Sequence, residues 1–165
     1  MKTLLLVRHA KSDWGSLTQA DIERPLNTRG IKNAHDMGSR LLKRKIEIDC
    51  IVASNAKRTT QTAHIIASEI HYPQEQIQFY NALYHAPQQC LLDTVLTLNS
   101  NWNTVMLVGH NNGITDFVNS FGFFVTDNMP TCSMACLSIA CEHWYDFANA
   151  AKTLLFFDYP KRMDA

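Results

Sequence analysis

One pattern recurs three times along the chain: an apolar segment, then one or two polar residues, then a stretch with helical periodicity. The apolar segments cover residues 4–7, 49–53 and 104–109. Each has the length of a buried strand, and strands that alternate with helices in this way are typical of a mostly parallel sheet with helices on both faces. We therefore predict an α/β fold.

The helices are predicted from the apolar residues that follow each strand. The first begins near Thr28, the second follows Ser54 and Asn55, which can cap it, and a fourth resumes near Ile114. The predicted buried faces are Ile31, Ala34, Met37, Gly38, Leu41 and Leu42 in the first helix, Ala63, Ile66, Ala67 and Ile70 in the second, Cys90, Leu91, Val95 and Leu98 in the third, and Phe117 and Val118 in the fourth. Residues 77–80, 134–140 and 153–158 are predicted to be further strands.

Composition limits the kind of protein and the kind of partner. A chain of 165 residues is predicted to form a single domain, residues 1–165, with a substantial core. Its 15 basic and 15 acidic side chains balance, so we expect no nucleic-acid or membrane partner. The N-terminal apolar run is too short for a signal peptide, and no apolar stretch reaches the ~20 residues of a membrane span. We expect a soluble, cytoplasmic protein.

The five cysteines lie mostly in apolar segments and are predicted to be reduced core thiols. Cys132, Cys136, Cys141 and His143 are close enough in sequence to be considered as metal ligands. Apolar residues alternate between them as in a buried strand, which favours a core strand over a metal centre. We therefore expect no metal ion and no cofactor.

The first strand ends in Arg8 and His9, and this pair indicates phosphoryl chemistry. A neutral imidazole is a competent nucleophile, and a guanidinium is always charged and presents donors that fit phosphate oxygens. Carboxyl ends of parallel strands meet at one edge of an open α/β sheet, where such proteins bind their ligands.

Two further residues are predicted to reach the same edge. Arg58 lies in the first turn of the second helix, where a cation is disfavoured unless an anion completes the site. His110 follows the strand of residues 104–109, and a protonated His110 would add positive charge as negative charge builds in the transition state. Together with Arg8 and His9, they would form a pocket for a phosphoryl group.

Several motifs resemble the signatures of the histidine phosphatase superfamily: VRHA at residues 7–10, KRTTQTA at 57–63 and VGHNNG at 108–113. RHAKSDW at 8–14, ERPLNTRG at 23–30, the Leu83-Tyr84 pair and MPT at 129–131 resemble, more narrowly, the small bacterial phosphohistidine phosphatases. The resemblance covers nearly the whole chain.

The resemblance implies a three-layer α/β/α fold of phosphoglycerate-mutase type. It also implies that His9 is phosphorylated during turnover and that Arg8, Arg58 and His110 hold the phosphoryl group. The predicted substrate-binding residues, within or beside the motifs, are Lys11, Ser12, Asn111 and Thr131.

The chain departs from the family at two places. ASNAKR at residues 53–58 lacks the usual serine-proline start, which should affect the helix cap and not the chemistry. Ester-cleaving relatives place a glutamate after the third strand to protonate the leaving oxygen, whereas this segment reads NALYHAPQQ and has no carboxylate. Either the general acid is missing, or another group such as His85 or Asp13 replaces it. A missing acid suits phosphohistidine, whose nitrogen leaving group is basic enough to be protonated before departure.

The connections over residues 9–31 and 79–91 leave little material for a lid. An open, shallow site suits a phosphorylated side chain of a signalling or carrier protein better than an enclosed metabolite. A small-molecule phosphatase with an activated leaving group is the first alternative, and a non-catalytic phosphate-binding module is the second. Phosphate, sulfate and vanadate are the expected pocket ligands, bound without a metal ion.

Overall fold

The computed structural model describes residues 1–163, which fold around one six-stranded sheet. The strands are β1 (Lys2–Arg8), β2 (Cys50–Ser54), β3 (Gln78–Tyr80), β4 (Thr104–Gly109), β5 (Met134–Ile139) and β6 (Lys152–Asp158). Their order across the sheet is β3-β2-β4-β1-β5-β6. The first four strands are parallel, while β5 runs antiparallel to β1 and β6 antiparallel to β5. The predicted mostly parallel sheet is confirmed.

Four α-helices cover the sheet: α1 (Thr28–Lys43), α2 (Lys57–Glu69), α3 (Gln88–Leu96) and α4 (Gly113–Asn119). Short 3-10 turns span Asp21–Glu23, Gln74–Gln76, Asn81–Leu83 and Trp144–Asp146. Side chains of a strand point alternately to opposite faces, so β1 contributes to two cores. Leu5 and Val7 pack with buried residues of α1 and α2, whereas Leu4 and Leu6 pack with those of α3 and α4. The three-layer α/β/α arrangement is therefore confirmed.

Two residues of the predicted buried face of α1 are exposed: Ile31 by 42% and Leu42 by 43%. Each directly follows a buried residue, Gly30 or Leu41, and is therefore rotated about 100° away from the face that packs on the sheet.

Two details at helix ends also differ from the predictions. Neither Ser54 nor Asn55 caps α2, since the helix begins at Lys57 after Ala56, which gives no side-chain cap. Ser54 is the last residue of β2, and its hydroxyl instead accepts the backbone N–H of Ala56. Leu98 lies two residues beyond the end of α3, although its side chain is buried as predicted.

The topology places the carboxyl ends of β1, β2 and β4 at one edge of the sheet. The strand β4 lies between the other two, and its Val108 pairs with Val7 of β1 and Ala53 of β2. The chain then leaves β1 toward the α1 face and leaves β4 toward the α4 face. Neighbouring strands whose connections diverge in this way form the crevice in which open α/β sheets bind ligands.

Four cysteines are buried and Cys90 is half-buried, and all five are free thiols. Burial raises the pKa of Cys50 to about 11 and that of Cys132 to about 12, so both thiols stay protonated near neutral pH. Within residues 1–163, His, Cys, Asp and Glu form no group of three or more with the spacing of a metal site. No helix in that part of the chain combines the length and the apolarity needed to cross a membrane.

Candidate active site

His9 follows β1 directly and lies at the bottom of the crevice, where it is 9% exposed. Its backbone N–H donates to the carbonyl of Gly109, at the end of β4. Its side-chain Nδ1 lies 2.7 Å from the carbonyl oxygen of Ala10. A carbonyl oxygen can only accept, so Nδ1 carries the hydrogen and Nε2 carries the lone pair.

The protein keeps the His9 imidazole neutral. Its pKa is lowered to about 3, chiefly by burial and also by the nearby charges of Arg58 and Arg8, and the hydrogen bond to Ala10 only partly opposes them. An imidazole with this pKa has a free electron pair across the physiological range. His9 can therefore act as a nucleophile without first losing a proton to a base.

His110 lies beside His9, with ring centroids 5.3 Å apart. Its Nε2 is 2.8 Å from Oγ of Ser54, the hydroxyl that accepts the Ala56 N–H. Ser54 is fully buried and its hydroxyl hydrogen has no other acceptor within residues 1–163, so it is donated to Nε2, and the ring hydrogen of neutral His110 is carried by Nδ1. That Nδ1 is buried and has no partner within residues 1–163.

A protonated His110 was expected to add positive charge in the transition state, whereas the protein groups around it favour the neutral form. Burial, followed by His9, Arg58 and His85, lowers the pKa of His110 to about 2. A bound dianion would oppose this effect, because an opposite charge nearby favours the protonated imidazole. In either state His110 presents an N–H donor.

Loops anchor the two arginines. Arg8 donates from Nη1 to the carbonyl of Met129 at 2.6 Å. Arg58 is 2% exposed and donates to the backbone carbonyl and the carboxylate of Asp21, at 2.8 and 3.0 Å. Among residues 1–163, these contacts leave the Nε of each guanidinium buried without a partner.

Three of the unpartnered donors belong to side chains that line one cavity. Five buried side-chain polar atoms in the described chain lack a partner, and three of them are Arg8 Nε, Arg58 Nε and His110 Nδ1. Their side chains line the same cavity of about 170 Å³, together with His9. A buried donor without an acceptor costs about 1–3 kcal/mol, so three around one cavity fit an oxyanion that accepts from them.

The four predicted substrate-binding residues, Lys11, Ser12, Asn111 and Thr131, also line this cavity. Ser12 is buried and its hydroxyl accepts a hydrogen bond from Arg24 at 2.8 Å. Asn111 donates its amide hydrogen to Asn128. The structure thus brings together all eight side chains that the sequence analysis selected.

Asp21 is a component of the site that the sequence analysis missed. Its Oδ2 accepts hydrogen bonds from Arg58, from the Tyr84 hydroxyl and from His85 Nε2, the last at 3.0 Å, and its Oδ1 accepts from Arg24. Burial raises the pKa of Asp21, but hydrogen bonds from His85, Tyr84, Arg58 and Arg24 together lower it below its usual range. Asp21 is therefore a carboxylate.

Segment 11–27 has no periodicity, and that is why Asp21 and Arg24 were missed. Asp21 and Arg24 form an ion pair at 2.9 Å, and their spacing of three residues was the one sequence feature that could have indicated it. Trp14 covers the outer side of Arg24, with the guanidinium carbon 3.7 Å from the ring centroid. The segment supplies the carboxylate that holds Arg58.

His85 and Asp13, the two side chains considered as substitutes for the missing acid, lie in different places. His85 lines the cavity, and its ring is stacked on His110 with centroids 5.1 Å apart and planes 15° apart. Asp13 accepts the backbone N–H of Gly15 in the exposed loop and does not line the cavity. Of the two, only His85 is placed to meet a leaving group.

A second cavity of about 410 Å³ adjoins the first and shares Arg8, Lys11 and Thr131 with it. Arg29 and Lys161 also line this cavity, which we call the basic groove. Lys11, Arg29 and Lys161 form no ion pair within residues 1–163. Although the whole chain is electrically balanced, the approach to His9 is locally positive.

Comparisons with known proteins agree with the motifs. The family model described as histidine phosphatase superfamily (branch 1) matches residues 4–81. An uncharacterized protein of Mycobacterium tuberculosis is 28% identical over 166 residues, which span 94% of this chain and all of that protein. The resemblance stated from the motifs is confirmed.

Solved structures share the fold over nearly the whole length. A chain assigned as the phosphohistidine phosphatase SixA of Nakamurella multipartitia has a TM-score of 0.78 and 26% identity, and the match covers 98% of this chain and 97% of that one. SixA in complex with tungstate has a TM-score of 0.81 and 18% identity, covering 96% and 97%. A mycobacterial glucosyl-3-phosphoglycerate phosphatase with VO3 has a TM-score of 0.70 and 18% identity, covering 96% and 100%.

Proposed function

This chain belongs to the histidine phosphatase superfamily, and from that premise we propose that it hydrolyses phosphohistidine on a signalling or phosphocarrier protein through a phosphoryl intermediate on His9. One observation carries the proposal: the neutral His9 lies in the cavity whose walls hold three buried donors without acceptors. A site for phosphate binding alone would need the donors but would not need a nucleophile among them.

In the first step, Nε2 of His9 attacks the phosphorus atom. The bond from phosphorus to the leaving atom breaks, and its electron pair stays with the leaving atom. The N–H donors of Arg8, Arg58 and His110 stabilise the negative charge on the phosphoryl oxygens. Such fixed donors are effective because they need no reorganisation while the reaction proceeds.

In the second step, water attacks the phosphorus of phosphorylated His9. The P–N bond breaks, its electron pair returns to Nε2, and inorganic phosphate leaves. Throughout both steps, the Ala10 carbonyl holds the hydrogen on Nδ1 and so keeps Nε2 as the reacting atom. The two arginines supply permanent positive charge, and we propose that no metal ion is required.

The basic groove supports a protein substrate. It begins at Arg8 and Lys11, beside the cavity, and extends to Arg29 and Lys161. Acidic residues that flank a phosphohistidine could pair with these cations while the phosphoryl group occupies the cavity. The five free thiols are consistent with the reducing conditions of the cytoplasm, which we include in the proposal.

A rate comparison tests the proposal. A phosphohistidine protein and a panel of small phosphate esters would be compared by kcat/KM under identical conditions. We expect the phosphohistidine protein to be preferred by at least ~100-fold. A preference for a small ester would instead support the second candidate, a small-molecule phosphatase with an activated leaving group, which the fold shared with glucosyl-3-phosphoglycerate phosphatase favours.

A further inference from the structure

We propose that the site has a second activity, the hydrolysis of phosphate esters with basic leaving groups, in which His85 donates the proton and Asp21 orients His85. The inference rests on the proposed function, since it requires transfer to His9. It adds a general acid that the segment after β3, with no carboxylate, does not otherwise provide.

The geometry of His85 identifies the nitrogen that handles the proton. Its Nε2 donates to Asp21 Oδ2 at 3.0 Å, so this nitrogen is committed to the carboxylate. Its Nδ1 forms no hydrogen bond within residues 1–163 and belongs to a half-exposed ring at the edge of the cavity. Fixing one imidazole nitrogen in this way leaves the other to exchange a proton with a substrate.

The backbone holds His85 in a conformation that side chains seldom adopt. Its φ is 48°, in the left-handed region. The next residue, Ala86, packs against Gly113 so closely that a Cβ built there would lie 1.9 Å from the Ala86 carbonyl oxygen. Because Gly113 begins α4 just after His110, this contact fixes the His85 loop relative to His110. Unusual backbone geometry held by packing is frequent at functional sites.

The neighbouring groups are poor proton donors. Asp21 is ionised and accepts from four side chains, so it has no proton to give. Tyr84 commits its hydroxyl hydrogen to Asp21, and burial and that carboxylate raise its pKa. Arg58 uses two of its donors on Asp21. These groups and His110 surround His85. Burial and nearby charges lower the pKa of His110 to about 2, whereas the His85 ring is half-exposed and its Nδ1 has no partner within residues 1–163, so the proton transfer falls to that nitrogen.

The proton balance closes over the two steps. In the first, His9 Nε2 bonds to phosphorus, the P–O bond breaks, and the Nδ1 hydrogen of protonated His85 moves to the leaving oxygen. In the second, neutral His85 takes a proton from the attacking water as the P–N bond breaks. Both histidines return to their starting states, and no other reactant is needed.

The test measures how kcat/KM depends on the leaving group. A panel of aryl phosphates whose phenols span several pKa units would be assayed with the parent protein and with His85→Gln. We expect a shallow dependence in the parent and a steep one in His85→Gln. Because general acids contribute about 10²–10⁴-fold, the least acidic phenols should lose about 100-fold or more. For the most acidic phenols the loss should be small, because their oxygen departs without being protonated.

His35→Gln is the matched control, since His35 also pairs with a carboxylate, at 2.7 Å from Glu69, but does so far along the surface of α1 and α2. It should leave the dependence unchanged. The parent measurement needs no variant, so a misfolded His85→Gln would not leave the question open.

The inference would be overturned if kcat/KM of the parent fell steeply as the pKa of the leaving phenol rose, or if folded His85→Gln showed the same dependence as the parent. Phosphohistidine hydrolysis through His9 would continue in either case. Failure of the proposed function looks different: the parent would form no phosphoryl intermediate, or would not hydrolyse phosphohistidine, whatever the aryl series showed.

Discussion

Nδ1 of His9 donates a 2.7 Å hydrogen bond to the carbonyl of Ala10, the residue that follows it. This contact determines which nitrogen of His9 attacks phosphorus. Because the Ala10 backbone N–H is held by Thr62 of α2 at 3.0 Å, the carbonyl that orients His9 is itself tied to the helix that carries Arg58.

His9→Ala should abolish turnover without unfolding the protein, since His9 lies at the sheet edge and its main contacts use the backbone. Protein denatured in mid-reaction should carry acid-labile, base-stable phosphate only in the parent. His143→Ala, a histidine stacked on Tyr145 far along the chain, should label like the parent. Undiminished label in His9→Ala would exclude His9 as the nucleophile.

Arg58→Ala should lower kcat/KM by roughly 30-fold or more, which corresponds to about 2 kcal/mol of lost transition-state stabilisation. The guanidinium is buried in the site, and its removal also leaves Asp21 with fewer donors. The neighbouring Lys57→Ala, an exposed cation in the same helical turn, should change kcat/KM by less than about twofold. Equal effects of the two substitutions would contradict the assignment.

Ser54→Ala should lower kcat by up to about 100-fold with a small effect on KM, the scale of the loss when a catalytic group is misplaced by about 1 Å. Its hydroxyl fixes the tautomer of His110, and without it the ring hydrogen can move to Nε2. NMR of the imidazole nitrogens would report that change directly. A normal tautomer with unchanged kcat would refute the role of Ser54.

Stability should fall as the pH drops below about 6.5. The unfolded His9 binds a proton near pH 6.5, whereas the folded one does so only near 3, so between these values the unfolded state binds more protons. The contribution of His9 to the free energy of unfolding is fully present above about pH 6.5. At pH 5 the titration of His9 alone should lower that free energy by about 2 kcal/mol. The loss of Tm from pH 7 to 5 should be smaller in His9→Gln. An equal loss in both proteins would mean that His9 titrates normally.

Activity should survive exhaustive treatment with EDTA, because Arg8 and Arg58 supply the positive charge. Tungstate should inhibit competitively and stabilise the fold by about 2.7 kcal/mol at 100 times its Kd. In Arg58→Ala, much of that stabilisation should disappear. A strict requirement for added divalent ions would refute the mechanism and return attention to Cys132, Cys136, Cys141 and His143.

The sequence by itself determined the sheet, the helices and the residues at the carboxyl ends of β1 and β4. The spacing of apolar residues within a segment shows which of its side chains are buried, and this can be read for each strand and helix without knowing the rest of the fold. The three motifs at residues 7–10, 57–63 and 108–113 were also sufficient to select Arg8, Arg58 and His110, because each motif lies at or just after the carboxyl end of a parallel strand.

Only the tertiary structure decided the remaining features of the site. The carboxylate of Asp21 reaches Arg58 and His85 across separations of 37 and 64 residues, and no local pattern encodes such contacts. The neutral state of His110 likewise depends on burial and on the charges of Arg58 and His85 brought beside it by folding. These interactions are electrostatic and act through space, so they exist only once the sheet has placed the three loops together.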